Sequence, residues 1–280
     1  VVQNKLRNAM EAIRGVKLPE LPSEVLLLQE ELKSRFANVN TVASIIEKNT
    51  VMAGDVLKAI NSPVMNMKLP EPVRSISEAV TLLGLENIYN LVVAAALKNL
   101  FGENELYKDV MDFSVDVAFC MADISDWVDD VTRDEAYMLG LFHNVGALVL
   151  VSKDPEGYGK IYANSLSMPE SVIKTEEKKY GSDHATIGVL VAKKWHLPVD
   201  FMNAIMLHHT HDCSTIQNDR VRALVAMIKL ANAIVAEISL GAYVSSEMRD
   251  FEKRSREELM IDPDVISEIR TSLMSYAFKS

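Results

Sequence analysis

GLFHNVG, residues 140 to 146, places a histidine and an asparagine in the middle of a long apolar run. His143 followed by a carboxylate would offer a divalent cation an imidazole and an anion from one helical turn, as metal-assisted hydrolysis requires. The second residue is Asn144. An amide brings one neutral oxygen and an NH2 that repels cations, so it neither bridges two metals nor adds the charge that acidifies a bound water. A second histidine-rich stretch, HHTHDC at 208 to 213, matches no established zinc spacing and is expected to hold no dedicated site.

The elements that must position these residues are helical. The chain has 280 residues with 11 Gly, 9 Pro and 6% aromatics against 49% hydrophobic residues, a balance that favours long helices over many short strands. An all-α protein is expected, with enough chain to bury a full core unaided. The patterning predicts helices over 1–14, 22–35, 41–48, 52–61, 85–101, 106–128, 155–167, 169–180, 183–195, 198–209, 219–240 and 263–278. Ser75 with Glu78 and Thr132 with Glu135 form S/T-x-x-E boxes that open two more. The first stops at Gly84; the second carries GLFHNVG as one continuous helix, apolar almost all round, and so belongs at the centre of the molecule. The proline-rich piece over 62–72 and the GENE break over 102–105 are loops. The run EMRDFEKRSREE, 247 to 258, is expected to be a solvated face. No internal repeat or low-complexity tract is present.

A formal net charge of −10 opposes non-specific attraction to nucleic acid or anionic lipid. Uninterrupted apolar runs such as LVVAAAL at 91–97 fall short of the roughly 20 residues a membrane span needs. No leader pattern opens the sequence, and the two cysteines, Cys120 in a helical pattern and Cys213 in a polar loop, suit a reducing compartment. A cytoplasmic protein with neither nucleic acid nor membrane as partner is expected.

Several separated motifs then line up. LPELP at 18–22, VLKAINS at 56–62, SISEAVTLLG at 75–84, GLFHNVG, HATIGVLVAKKWHLP at 184–198 and LHH at 207–209 together resemble the HDOD domain, a relative of the HD phosphohydrolases in bacterial signalling proteins. The resemblance covers about residues 18–212. It implies an N-terminal five-helix lobe packed on an HD-like helical bundle, usually a non-catalytic output module. The expected organisation is an N-terminal helix over 1–16, an HDOD domain over 17–212 divided into lobes 17–103 and 104–212, and a C-terminal helical segment over 213–280 that completes the bundle.

The resemblance also marks departures. Asn49-Thr50 stands where Asp-Pro is common, a change of helix cap. KLANAIV at 229–235 is similar to the segment where active HD enzymes hold their last aspartate, here Asn232, and their first histidine corresponds to Ser114. Ser114, His143, Asn144, His184, His208, His209 and Asn232 are therefore read as a vestigial HD site with no catalytic residue, no dedicated metal and no cofactor. Its imidazoles could still take up a borderline ion adventitiously. His143 is expected as a hydrogen-bonded core histidine, His184 as a helix-opening residue bonded to a carbonyl, Trp195 as a packing anchor, and Asn144 and Asn232 as partners across the vacated site, directly or through one water. The expected function is regulation through contact with an unidentified signalling protein, oligomeric state open. The alternatives are a weak metal-dependent phosphohydrolase or a nucleotide sensor using the vacated site.

Overall fold

The computed structural model describes residues 2–65, 71–100 and 104–276, which form helices joined by turns and loops, with no strand among them. Parts of the loops expected over 62–72 and 102–105, and both ends of the chain, lie outside these residues.

Helix α1 (Val2–Ala12) packs on the second half of the chain, with Lys153 donating to the Ala12 carbonyl. The N-terminal lobe contains α2 (Ser23–Leu32), α3 (Val39–Glu47), α4 (Thr50–Ile60), α5 (Ile76–Leu83) and α6 (Leu85–Lys98). Its starts follow from local chemistry: Asn38, Asn49 and Ser75 each accept a hydrogen bond from the backbone N–H three residues on. Asn49 thus caps α4 as an aspartate would. The Ser75 box is half formed, because the Glu78 carboxylate accepts from Arg74 N instead of Ser75 N. Asn61 closes the lobe's long loop, its side chain exchanging hydrogen bonds with both backbone groups of Val73 at 2.7 and 2.8 Å.

The HD-like bundle follows: α7 (Glu105–Ile124), α8 (Arg133–Phe142), α9 (Val145–Lys153), α10 (Pro155–Ser165), α11 (Ser171–Tyr180), α12 (His184–Lys194), α13 (Val199–Leu207), α14 (Asp219–Leu240), α15 (Ser246–Glu258) and α16 (Pro263–Tyr276). Thr132 and Glu135 make the full reciprocal capping box at the start of α8. Helix α8 joins the two lobes, packing on α6 on one side and on α7 on the other, while Arg133 donates to the Val64 carbonyl.

Two expectations are corrected. The helix carrying GLFHNVG is not continuous: Asn144, at φ −101° and ψ 14°, leaves the helical region, so α8 ends before His143 and α9 begins after Asn144. The cause lies in close packing across the next helix. At Gly146 a Cβ would stand 1.9 Å from the His184 carbonyl oxygen and 2.6 Å from Gly188 N, so α9 and α12 meet backbone to backbone. Gly140 lies equally close to Ala118 of α7, where a Cβ would be 2.4 Å from Cα.

The charged run over 247–258 is a helix, α15, with a solvated outer face and an inner face of Met248, Phe251 and Ser255 that is fully buried. Glu247 accepts from Glu170 N, Ser171 N and the Ser171 hydroxyl, and Arg254 pairs with Glu170 at 2.6 Å, fixing α15 to the start of α11. Two stretches, Arg133–Lys153 and Asp219–Leu240, are long and apolar enough to cross a bilayer, but 89% and 67% of their apolar windows are buried inside the protein. Both cysteines are free, and Cys213 is buried, not in an open loop.

Candidate functional site

The site sits where α9, α12, α13 and α14 converge beneath α10 and α15. Its small cavity is lined by Asn144, His184, His208, His209 and Asn232, and closed by aromatic and apolar side chains that include Tyr158 and Phe251. Six of the seven residues of the vestigial set are therefore brought together, His143 through its contact with Asn232. Ser114 is the exception. It is buried on α7 and donates to the Val110 carbonyl at 2.8 Å, while its neighbour Phe113 lines the cavity.

His143 is a buried core histidine. Its Nδ1–H donates to the Gly140 carbonyl at 2.5 Å, and its Nε2 lies 3.2 Å from Asn232 Oδ1. A neutral imidazole has one proton for these two acceptors, so the second contact is a full hydrogen bond only when the ring is charged. Burial pushes the ring down to about 4, against the smaller raising effects of the Gly140 and Asn232 contacts. Asn144 and Asn232 line the same small cavity without a direct hydrogen bond between them: Asn232 donates to the Ile228 carbonyl at 2.9 Å and presents its oxygen to His143.

The other half of the site is built around a residue the sequence did not reveal. Glu176 on α11 is completely buried and accepts from Tyr158 Oη at 2.8 Å, from His184 N at 2.8 Å and from His184 Nδ1 at 2.8 Å. His184 does open its helix, capped by Asp183, but its ring bonds this carboxylate, not a carbonyl. Burial works against a charged His184, yet the Glu176 contact outweighs it and the ring's pKa is raised. His184 Nε2 meets His209 Nε2 at 2.9 Å. His208 donates from Nδ1 to the Ile205 carbonyl at 2.6 Å, and its Nε2 finds no hydrogen-bond partner among the described residues. Burial first, and then neighbouring imidazoles, hold His208 and His209 well below the ordinary histidine value.

Lys229 supports this half from behind. Fully buried, its ammonium donates to the Thr210 carbonyl at 2.6 Å and lies 4.5 Å from the Phe251 ring centroid. It thereby ties the turn after His209 to the inner face of α15. Trp195 is the expected anchor, fully buried, edge-on to Phe142 and donating to the Pro19 carbonyl at 3.1 Å, which fastens the LPELP segment to α12.

A two-metal hydrolytic centre requires anionic ligands shared between cations. The residues present do not fit one. Asn144 and Asn232 are neutral, Ser114 faces away, and the nearest buried carboxylate, Glu176, is committed to His184 and Tyr158.

A five-helix lobe on a helical bundle centred on clustered imidazoles defines the class, an all-α HD-like protein. The chain belongs to the HDOD family: the HDOD domain model matches residues 18–211. It is 25% identical over 222 residues to an uncharacterized protein of Treponema pallidum, covering 78% of this chain and 42% of that one. The chain thus spans less than half the length of this curated relative. An HDOD domain protein of unknown function from Geobacter sulfurreducens has a similar structure, with a TM-score of 0.68, 22% identity and full coverage of both chains. So has a protein of Shewanella amazonensis proposed to be a phosphohydrolase, with a TM-score of 0.69, 21% identity and coverage of 96% and 94%. A proposed signal transduction protein of Marinobacter aquaeolei matches with a TM-score of 0.68 and 19% identity over 99% of this chain and 65% of that one. At these identities the likeness concerns the fold.

Proposed function

We propose that the chain is a non-catalytic regulatory module of the HDOD type, acting in the cytoplasm through contact with another signalling protein. The observation that carries this reading is the cavity at the site, which measures about 20 Å³ and has no carboxylate in its lining. That volume suits roughly one water molecule, against the several hundred Å³ of a small-molecule pocket. A cavity of that size leaves little room for a phosphoester or a nucleotide beside His143. Both alternatives, the vestigial phosphohydrolase suggested by the Shewanella protein and the nucleotide sensor, are disfavoured by the same measurement.

Contact with a protein has support elsewhere on the surface. A groove of about 810 Å³ runs along the junction of the lobes, bordered by Leu26, Tyr89, Met138, His196 and Pro198. Leu26, Leu27 and Val199 are exposed apolar side chains at or beside this junction. The test is a screen for phosphodiesterase and phosphatase turnover with manganese, iron and zinc each supplied. No turnover is expected. Metal-dependent hydrolysis that disappears in His143→Ala would overturn the reading.

A further inference from the structure

We propose that a groove along α7, outside the central site, binds a linear aliphatic triamine held by Asp109, Asp112 and Asp116. The three carboxylates stand at positions i, i+3 and i+7 on one face of α7, and all line a cavity of about 390 Å³ between α7 and α10. That volume falls in the range of small-molecule sites, roughly 300–1,000 Å³. Among the described residues no basic side chain joins them in the lining. Burial, and then the charge of Asp112, raise Asp116 to about 6, so the pair gains from a cation placed between them.

A second observation points to a ligand. Tyr162 on α10 is only 6% exposed, and its Oη has no hydrogen-bond partner among the described residues. Asp109 lies near enough to push that phenol up further than burial alone, which places the hydroxyl at the Asp109 end of the groove. A buried hydroxyl without a partner is costly. An ammonium seated on Asp109 donates a hydrogen bond to Oη and supplies what is missing.

The spacing selects the ligand. At a rise of 1.5 Å per residue the carboxylates follow one another at about 4.5 and 6 Å along the helix, and chains of three and four methylenes separate successive ammonium groups by similar lengths. Among the described residues the group whose ligand atoms lie within 4.8 Å of one another is the histidine trio, not these carboxylates. A string of charges suits a string of cations, where a single metal ion needs converging ligands. Leu106, Ala163 and Leu166 cover the methylenes, and the rings of Phe113 and Tyr162 attract the ammonium groups. The surroundings also set the length. Asp112 and Asp116 border a second cavity whose wall carries Lys58 and Lys98 beside Asp55, so a fourth ammonium extending there meets two cations.

The groove shares only a wall with the central cavity, through Phe113, Tyr162 and Leu166. It goes beyond the regulatory reading and does not depend on it: turnover at the histidines would end that reading and leave the triamine site standing.

The experiment titrates the full chain with spermidine, a triamine of three- and four-methylene spacing, by calorimetry at about 0.1 M salt, which screens charges more than about 10 Å apart. Saturation at one triamine per chain is expected. Asp112→Asn should weaken binding about tenfold or more through loss of a charged hydrogen bond. Tyr162→Phe should weaken it about threefold to tenfold while leaving the melting temperature of the free protein equal or higher, because the hydroxyl has no partner to lose. Asp129→Asn, which removes the same charge from an exposed position, should leave the affinity unchanged. Spermine, with one more charge, is expected to bind within about threefold of spermidine, and equimolar magnesium chloride is expected not to displace it. Nuclear Overhauser contacts from spermidine methylenes to the Phe113 and Tyr162 rings of the wild type place the ligand independently of whether the variants fold. No saturable binding, binding unaltered in a folded Asp112→Asn, equal weakening by Asp129→Asn, a larger preference for spermine, displacement by magnesium, or contacts to other rings overturns the proposal.

Discussion

The two halves of the site satisfy their buried polar groups differently. Around His143 and Asn232 the groups are neutral: the ring and the amide each donate to a backbone carbonyl and meet one another acceptor to acceptor at 3.2 Å. Around His184 a buried carboxylate accepts from the ring, whose other nitrogen shares a proton with His209. Neutral groups can be packed away by ordinary hydrogen bonds, each contributing about 1 kcal/mol, whereas a buried charge must keep a partner or destabilise the fold by several times that. The difference teaches that the site is half core and half retained electrostatics.

The comparison can be broken most severely where both halves are joined. Gly146→Ala is expected to cost at least ~3 kcal/mol, because the added carbon cannot coexist with the His184 carbonyl and α9 must separate from α12. Thermal melting with Gly54→Ala as control, where a Cβ meets nothing within 4 Å, measures it. The next effect separates the halves. Glu176→Gln strands part of the network around Tyr158 and His184 and is expected to lose about 3 kcal/mol, while Asn232→Ala loses about 1 kcal/mol. Equal losses in urea unfolding would show that the halves are energetically alike. Phe251→Leu, which keeps an apolar cover but removes the ring above Lys229, should cost about 1 kcal/mol and speed amide exchange in the turn after His209 more than at His143.

The smallest effect comes from a carboxyl outside both halves. Burial, and then Asp112, raise Asp116 from 3.8 to about 6. Between those values the folded chain holds a proton that the unfolded chain has released, so this group's contribution to stability falls as pH rises from about 4 to about 6. Asp116→Asn removes that loss. It should stabilise the fold at pH 7 relative to pH 4 by on the order of 1 kcal/mol after solvent screening, read as a rise in melting temperature at pH 7. A gain independent of pH would show that the carboxyl is not the cause.

Much of the fold was legible because helix starts are written in short-range chemistry. Thr132 with Glu135, Asn49 before α4 and Pro263 after Asp262 mark their boundaries without reference to tertiary contacts. The bend at Asn144 was not legible. Its cause is the approach of Gly146 to α12 about forty residues away, and a glycine in an apolar run gives no sign of what it will touch. Glu176 was hidden for a similar reason: within KTEEKKY it looks like any solvated acid, and only the turn through Gly181 to His184 carries it inward. The charged run of α15 misled because its two buried ring and thioether positions, Met248 and Phe251, are outnumbered by charges that face water. The histidines themselves were found from their motifs. Which of them would meet depended on helix crossings that no local pattern records.

The turn at His143 and Asn144 has a further effect during synthesis of the chain. Arg133–Lys153 is 21 residues of sufficient hydropathy to partition into a bilayer as it emerges. Placing an imidazole and an amide at its midpoint, where hydrocarbon offers them nothing, adds about 2–7 kcal/mol per unsatisfied group to insertion. The pair that shapes the interior of the finished protein therefore also acts on the newborn polypeptide, biasing one of its two long apolar segments away from lipid before any partner helix exists to bury it.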